Sequence, residues 1–295
     1  MPVKILITGA TGFLGSNLLK RLVLNEACDV IVLKRKHSNL ARIQGLCDKV
    51  TFFNIEETNP ESLFATNHID TIIHCATHYG RKDTKPFEVI EANFTLPLKL
   101  LHVGKEHGLR CFINTDTILD KRVNYYSLSK NQFKQWLEMY SPELVSVNME
   151  LEHFYGPQDD PSKFVSFIIE KLLNKDPQID LTLGKQRRFF IYIDDVVEAF
   201  VKVLNASVNF SKGLYSFQVA TREPVTIKQF VETIKLLTGN RTTVLNFGAI
   251  PYRRNEIMEP AIDISALEAL QWSPTVSLEQ GLRKTIQCMQ KDARA

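Results

Sequence analysis

The chain predicts an α/β fold, a doubly wound parallel sheet with a smaller mixed α/β lobe, and three observations carry that expectation. Its first half alternates short, continuously apolar runs with helical stretches. The first of those runs enters a glycine-rich turn that opens a helix. Beyond about residue 155 the alternation gives way to helices joined by loops and short strand-like pieces. Apolar strands separated by helices are what a parallel sheet covered on both faces requires.

In chain order, residues 3–8, 29–34, 49–54, 70–76, 110–115 and 143–149 read as strands, with helical patterns between most of them. Asn59 and Pro60 stand where a helix N-cap and first turn are expected. In the second half, residues 164–174, 195–204, 227–237 and 278–289 read as helices, and residues 214–220 and 243–247 as short strands. Thr226 with Gln229 and Ser277 with Gln280 have capping-box spacing. No internal repeat, low-complexity tract or linker interrupts the chain.

Composition narrows the function class. A chain of 295 residues, 44% hydrophobic and 23% charged, can bury a sizeable core. A net charge of +3, with both signs mixed throughout, gives no reason to expect nucleic acid as a partner. No run of apolar residues is long enough for a membrane span, and the opening strand leaves no room for a signal peptide. Five cysteines, Cys28, Cys47, Cys75, Cys111 and Cys288, lack the spacing of a disulfide framework or a zinc site. The expectation is a cytoplasmic protein without a metal.

The glycine turn carries the first chemistry. Gly9, Gly12 and Gly15 follow a strand and open a helix, with Thr11, Phe13 and Leu14 between them. Such a turn lets the backbone approach a pyrophosphate, which the helix N-terminus then attracts. The GxxGxxG spacing is a modified form of the Rossmann pattern. After the second strand, a carboxylate would select NAD and a cation the 2′-phosphate of NADP. Here the strand runs into Arg35 and Lys36, which favours NADP(H), with NAD(H) as the alternative. Tyr126 and Lys130 stand four apart at the start of a later helix, so phenol and ammonium can share one site. The lysine is expected to lower the tyrosine's pKa.

Together these segments resemble the extended short-chain dehydrogenases/reductases over nearly the whole chain. The resemblance implies further cofactor contacts from Asn54 and Ile55, from Cys75, Ala76 and Thr77 after the fourth strand, and from Asn93. It places a catalytic Ser or Thr at Thr115, with Thr117 close enough to replace it. The second half resembles the sugar-nucleotide branch of that family through Gly184–Asp195, Arg253–Glu256 and the Asp263-Ile-Ser stretch. Arg188 and Arg253 would then hold a nucleotide diphosphate, for which a guanidinium fork is suited. Tyr79, Arg81, His153 and Tyr192 complete the expected substrate contacts. Residues 1–155 would bind the dinucleotide. Residues 156–295 would mainly bind substrate, with about 190–225 returning to the first domain.

Departures matter equally. Phe189 replaces an aspartate expected after Arg188, and Glu150 stands where an arginine is usual. Dehydratases of the family follow the threonine with Asp-Glu, whereas this chain has Asp116-Thr117, which argues against dehydration. Residues 77–81, 113–117 and 151–156 resemble the CDP-paratose and CDP-abequose synthase group. That likeness implies NADPH-dependent reduction of the 4-keto group of a CDP-linked 3,6-dideoxyhexose for bacterial surface polysaccharide. An NAD-dependent sugar-nucleotide epimerase and a non-catalytic NADP sensor are the competing readings. The family's usual four-helix interface implies a homodimer.

Overall fold

The computed structural model describes residues 3–24, 28–81, 84–253 and 256–292. Seven strands form one sheet with every pairing parallel. The first six are β1 (Val3–Thr8), β2 (Cys28–Lys34), β3 (Thr51–Asn54), β4 (Thr71–His74), β5 (Cys111–Thr117) and β6 (Val145–Leu151). Two short strands precede the next helices or follow them: β7 (His153–Tyr155) and β8 (Gln178–Leu181). Then come β9 (Arg187–Arg188), β10 (Phe190–Tyr192) and β11 (Gly213–Val219), the seventh sheet strand. The sheet order is β11-β6-β5-β4-β1-β2-β3. Sequential strands run outward in opposite directions from β1 and β4, so the order reverses between them. Ligands of open α/β sheets bind outside the strand carboxyl ends at such a reversal.

The helices of the first half are α1 (Phe13–Val23), α2 (Pro60–Asn67), α3 (Pro86–Ile90), α4 (Leu96–Glu106) and α5 (Tyr125–Tyr140). A π-helical turn, Glu91–Thr95, joins α3 to α4, so the three run on as one helical stretch widened in its middle. Such turns recur at functional sites, and Asn93 lies inside this one. One sheet face buries Leu6, Ile72 and Phe112 against Phe64, Leu100, Phe133 and Leu137 of α2, α4 and α5. The opposite face packs α1 and α7 (Ile193–Ser207), through Leu18, Leu22, Val196 and Phe200.

Around the remaining segments a smaller layer forms. It comprises α6 (Phe164–Leu173), α8 (Ile227–Leu237), α9 (Ser265–Ala269) and α10 (Leu278–Asp292). Its strand pairs are β7 with β10, β8 with β13 (Val244–Phe247), and β9 with β12 (Val225–Thr226). The Thr226–Gln229 capping box opens α8, and Ser277 and Gln280 exchange the corresponding bonds before α10. Asn59 caps α2. No helix among the described residues is long and apolar enough to cross a membrane.

Candidate active site

At the carboxyl ends of the strands lies a cleft of about 1060 Å³. Its floor is the glycine turn. Gly9 has φ +70°, and a Cβ there would stand 2.4 Å from the Ala76 nitrogen. A Cβ on Gly15 would stand 2.2 Å from the Gly9 carbonyl oxygen. The backbone therefore closes on itself with no room for side chains, and Gly12 N donates to Gly9 O at 2.9 Å. Gly12 is the N-cap of α1 and offers no side-chain cap, so the first amides of α1 remain available to an anion. Thr11, Phe13 and Leu14 line the same wall. This cradle fits a dinucleotide pyrophosphate.

One end of the cleft is cationic. Arg35 lines it with Lys34, Ser38 and Arg42. Lys34 is occupied by Asn54, and Lys36 by Glu57 at 2.7 Å. The Arg35 guanidinium makes no hydrogen bond or ion pair among the described residues. Arg42, which sequence reasoning missed, donates to the Gln158 carbonyl at 2.8 Å while its Nε is buried without a hydrogen-bond partner. Ile55 also lines the cleft, but Asn54 does not. The Asn54 side chain accepts from Lys34 and donates to Glu57 at the end of β3.

Cys75, Ala76 and Thr77 pass along the middle of the cleft. Behind them sits Asn93, fully buried. It accepts from the His78 N–H at 2.8 Å and donates to the His78 carbonyl and to Ser129. Asn93 thus fixes the loop after β4 to α5, a clamp behind the cofactor wall rather than part of it.

Asn124 positions the tyrosine. Its side chain caps α5 in a reciprocal box with Ser127, so Tyr126 falls in the first turn, facing the cleft. The Thr117 hydroxyl accepts from the Leu119 N–H at 3.2 Å and acts on the nearby phenol by pulling its pKa down. Thr115 instead directs its hydroxyl to the Cys75 sulfur at 3.5 Å, and both threonines line the cleft. Lys130 is fully buried, and its Nζ donates to the Thr115 carbonyl at 2.7 Å. Burial pulls this ammonium down to about 8, with the Asp116 carboxyl the main influence opposing the fall. The expected lowering of the tyrosine pKa is not what the structure gives. Burial holds the Tyr126 phenol well above its ordinary value, with Tyr79 and Asp116 adding to the rise and Thr117 opposing it. Lys130 is engaged with the strand instead.

The expected substrate side separates into residues at the cleft and one away from it. Tyr79 tilts against Tyr126 with ring centroids 5.1 Å apart, and the Arg81 guanidinium lies over Tyr79. Arg81 also pairs with Asp160 at 3.2 Å and with Ser162. His153 lines the cleft, its Nδ1 hydrogen-bonded to Glu152 and its ring edge-on to Phe190. Lys163 was not foreseen; it pairs with Asp159 at 2.9 Å and lies over the rings of Phe13 and Phe154. Arg188 and Arg253 reach the cleft wall together. Arg188 is committed to Glu256 and to the Arg187 and Ile257 carbonyls, so a diphosphate would meet it already paired. Arg254 and Asn255 of the same segment lie outside the described residues. Tyr192 is placed elsewhere: it is buried against Tyr155, with Lys284 of α10 over its ring. The short strand β10 turns it into the core beneath α10.

Residues 5–216 match the NAD dependent epimerase/dehydratase family. The chain is 35% identical over 292 residues to CDP-abequose synthase of Salmonella muenchen, covering 96% of this chain and 97% of the relative. It is 31% identical to CDP-abequose synthase of Salmonella typhimurium, with the same coverage of both chains. Among solved structures, UDP-glucuronic acid 4-epimerase from Bacillus cereus in complex with UDP-glucuronic acid and NAD superposes with a TM-score of 0.85. That pair is 24% identical, with 98% of this chain and 99% of the other covered, and it speaks for the fold. With the parallel sheet, the glycine cradle and the Tyr126–Lys130 pair in place, the chain belongs to the NAD dependent epimerase/dehydratase family and is a nicotinamide-dependent oxidoreductase of the short-chain dehydrogenase/reductase type.

Proposed function

We propose that the protein reduces the 4-keto group of a nucleotide-linked deoxysugar, a CDP-4-keto-3,6-dideoxyhexose, using NADPH. The observation that carries this reading is the full-length likeness to two CDP-abequose synthases. Residues 1–155 would form the dinucleotide-binding domain, and residues 156–295 mainly the sugar-nucleotide lobe. Arg35 and Arg42 at one end of the cleft suit the additional phosphate of NADP(H).

When bound, the reduced nicotinamide supplies a hydride to C4 of the sugar. Tyr126 supplies the proton to the C4 oxygen, which completes the alcohol. A phenol held above its ordinary pKa is protonated at working pH and so starts in the donor state. Thr117, beside the phenol, would hydrogen-bond the carbonyl oxygen, and Thr115 would fix Cys75 and the Lys130 carbonyl anchor. Arg253 and, once exchanged from Glu256, Arg188 would hold the diphosphate. His153, backed by Glu152, and the Tyr79–Arg81 pair would face the sugar. Dehydration would need a second acid/base group at position 117, where a threonine stands.

The reading extends to a homodimer. Phe87, Ile90, Leu128, Trp136 and Met139 lie exposed on α3 and α5, apolar surface that a second copy of the chain would cover. The deciding experiment incubates purified protein with NADPH or NADH and CDP-linked 4-keto-3,6-dideoxyglucose and follows cofactor oxidation by absorbance. Turnover with NADPH supports the reading. No oxidation of either cofactor, with NAD released on denaturation, favours the epimerase.

A further inference from the structure

Asp116 lines the cleft and is only 4% exposed. Its two oxygens accept from the Thr117 N–H at 2.7 Å and from Asn148 Nδ2 at 2.8 Å. Both bonds are ones a carboxylate accepts, and neither asks the group to donate. Asn148 is held by Asn114, which donates to its Oδ1 at 2.8 Å. A buried carboxylate so arranged needs a neighbouring cation.

The pairing of strands and helix supplies it. In register, Asp116 lies opposite Glu150 on β6, and Glu150 lies opposite Gln218 on β11. This row points to the face that α5 covers. From α5, Lys134 pairs with Glu150 at 2.6 Å, and Gln218 donates to the other Glu150 oxygen at 3.1 Å. One helical turn earlier stands Lys130, whose Nζ bonds the Thr115 carbonyl, the carbonyl of the peptide that carries the Asp116 nitrogen. Lys130 and Lys134, four apart on α5, thus stand over Asp116 and Glu150, adjacent across β5 and β6. Lys134 pairs directly with Glu150, and Lys130, bonded to the Thr115 carbonyl, feels the Asp116 charge without an ion-pair contact. The other groups facing Lys130 are neutral: the Cys75 thiol, pushed up to about 11 by burial, and the His74 ring, whose buried imidazole is driven toward its uncharged form. Burial pushes the Asp116 carboxyl above its ordinary range and Glu150 adds to the rise, while the bonds from Asn148 and the Thr117 amide and the nearby Lys130 charge oppose it. The Glu150 carboxylate is itself paired with Lys134.

We propose that Asp116 is a positioning residue whose carboxylate, fixed by Asn148 and the Thr117 amide, keeps the Lys130 ammonium charged beneath the active site. It acts through Lys130 and leaves proton donation to Tyr126. The inference rests on the assignment of Lys130 to the cofactor and catalytic site.

The test reads the pH dependence of NADPH binding by fluorescence, between about pH 6 and 10, so it needs no knowledge of the sugar substrate. Wild-type affinity should fall as pH rises through about 8, where Lys130 loses its proton. Removing the neighbouring charge in Asp116→Asn should move that midpoint down by roughly one to two pH units. Lys130→Met should abolish the fall. A coincident midpoint for Asp116→Asn and wild type, with the fall abolished in Lys130→Met, overturns the role of Asp116. A fall that survives in Lys130→Met shows that another group titrates. The assignment of Lys130 then fails, and the inference fails with it. Thermal melts report whether Asp116→Asn folds. If it does not, Asn148→Ala, which withdraws one hydrogen bond from the carboxylate, should shift the midpoint the same way by less, and no shift there overturns the proposal.

Discussion

Gly15→Ala places a methyl group where the structure has no space for one. Its carbon would lie 2.2 Å from the Gly9 oxygen and 2.9 Å from the Ala10 Cα, both backbone atoms. The start of α1 must retreat from the turn by roughly 1 Å to restore ordinary contact, and the Gly9–Gly12 hydrogen bond moves with it. Overpacking of this kind costs about 1–3 kcal/mol, or roughly 2–4 °C in Tm per kcal/mol for a domain approaching this size. Displaced amides also leave the pyrophosphate cradle misaligned. NADPH at a hundredfold excess over Kd stabilises a folded protein by about 2.7 kcal/mol, and that ligand-dependent rise in Tm should largely disappear. Gly45→Ala is the matched control, because its added Cβ meets nothing within 4 Å. It should be neutral or stabilising by about 0.4–1 kcal/mol and keep the full response to NADPH. Thermal melts of both variants, with and without NADPH, decide the matter. A Gly15→Ala protein with wild-type Tm and a wild-type rise on adding NADPH would refute the cradle.

Two other outcomes follow from the same geometry. Arg35→Ala removes a cation from the cleft end and should weaken NADPH binding about 10- to 100-fold while leaving NADH unchanged; equal losses for both cofactors would place the phosphate elsewhere. Trp136→Glu puts a charge in the exposed apolar face of α3 and α5 and should convert a dimer to monomer in light scattering, with the far-ultraviolet circular dichroism unaltered; a persistent dimer would mean another face.

Much of the fold was legible because a parallel sheet writes itself as apolar runs. The strand at Val3–Thr8 and the helix after Gly12 follow from sequence alone, and so do the Thr226 and Ser277 caps, since each is a local bond. Partnership over long separations was not legible. Glu150 looked anomalous in sequence, and its explanation needs the β5–β6 register and the packing of α5, which bring Lys134 to it. Arg188 carried the residue type for a diphosphate, but nothing local announced Glu256, 68 positions away, as its partner. Asn93 illustrates a subtler gap. A motif column records proximity to a cofactor, whereas the structure shows a side chain that holds the loop after β4 from behind. Tyr192 belongs to a segment that resembles a binding motif, yet the turn of β10 directs it to the core.

If Tyr126 delivers the proton during hydride transfer to the keto sugar, Tyr126→Phe removes the donor and leaves the ring in place. With CDP-linked 4-keto-3,6-dideoxyglucose and NADPH, kcat should fall by about 10²–10⁴-fold while the Kd for NADPH stays near its wild-type value. Undiminished turnover in Tyr126→Phe would mean that another group delivers the proton.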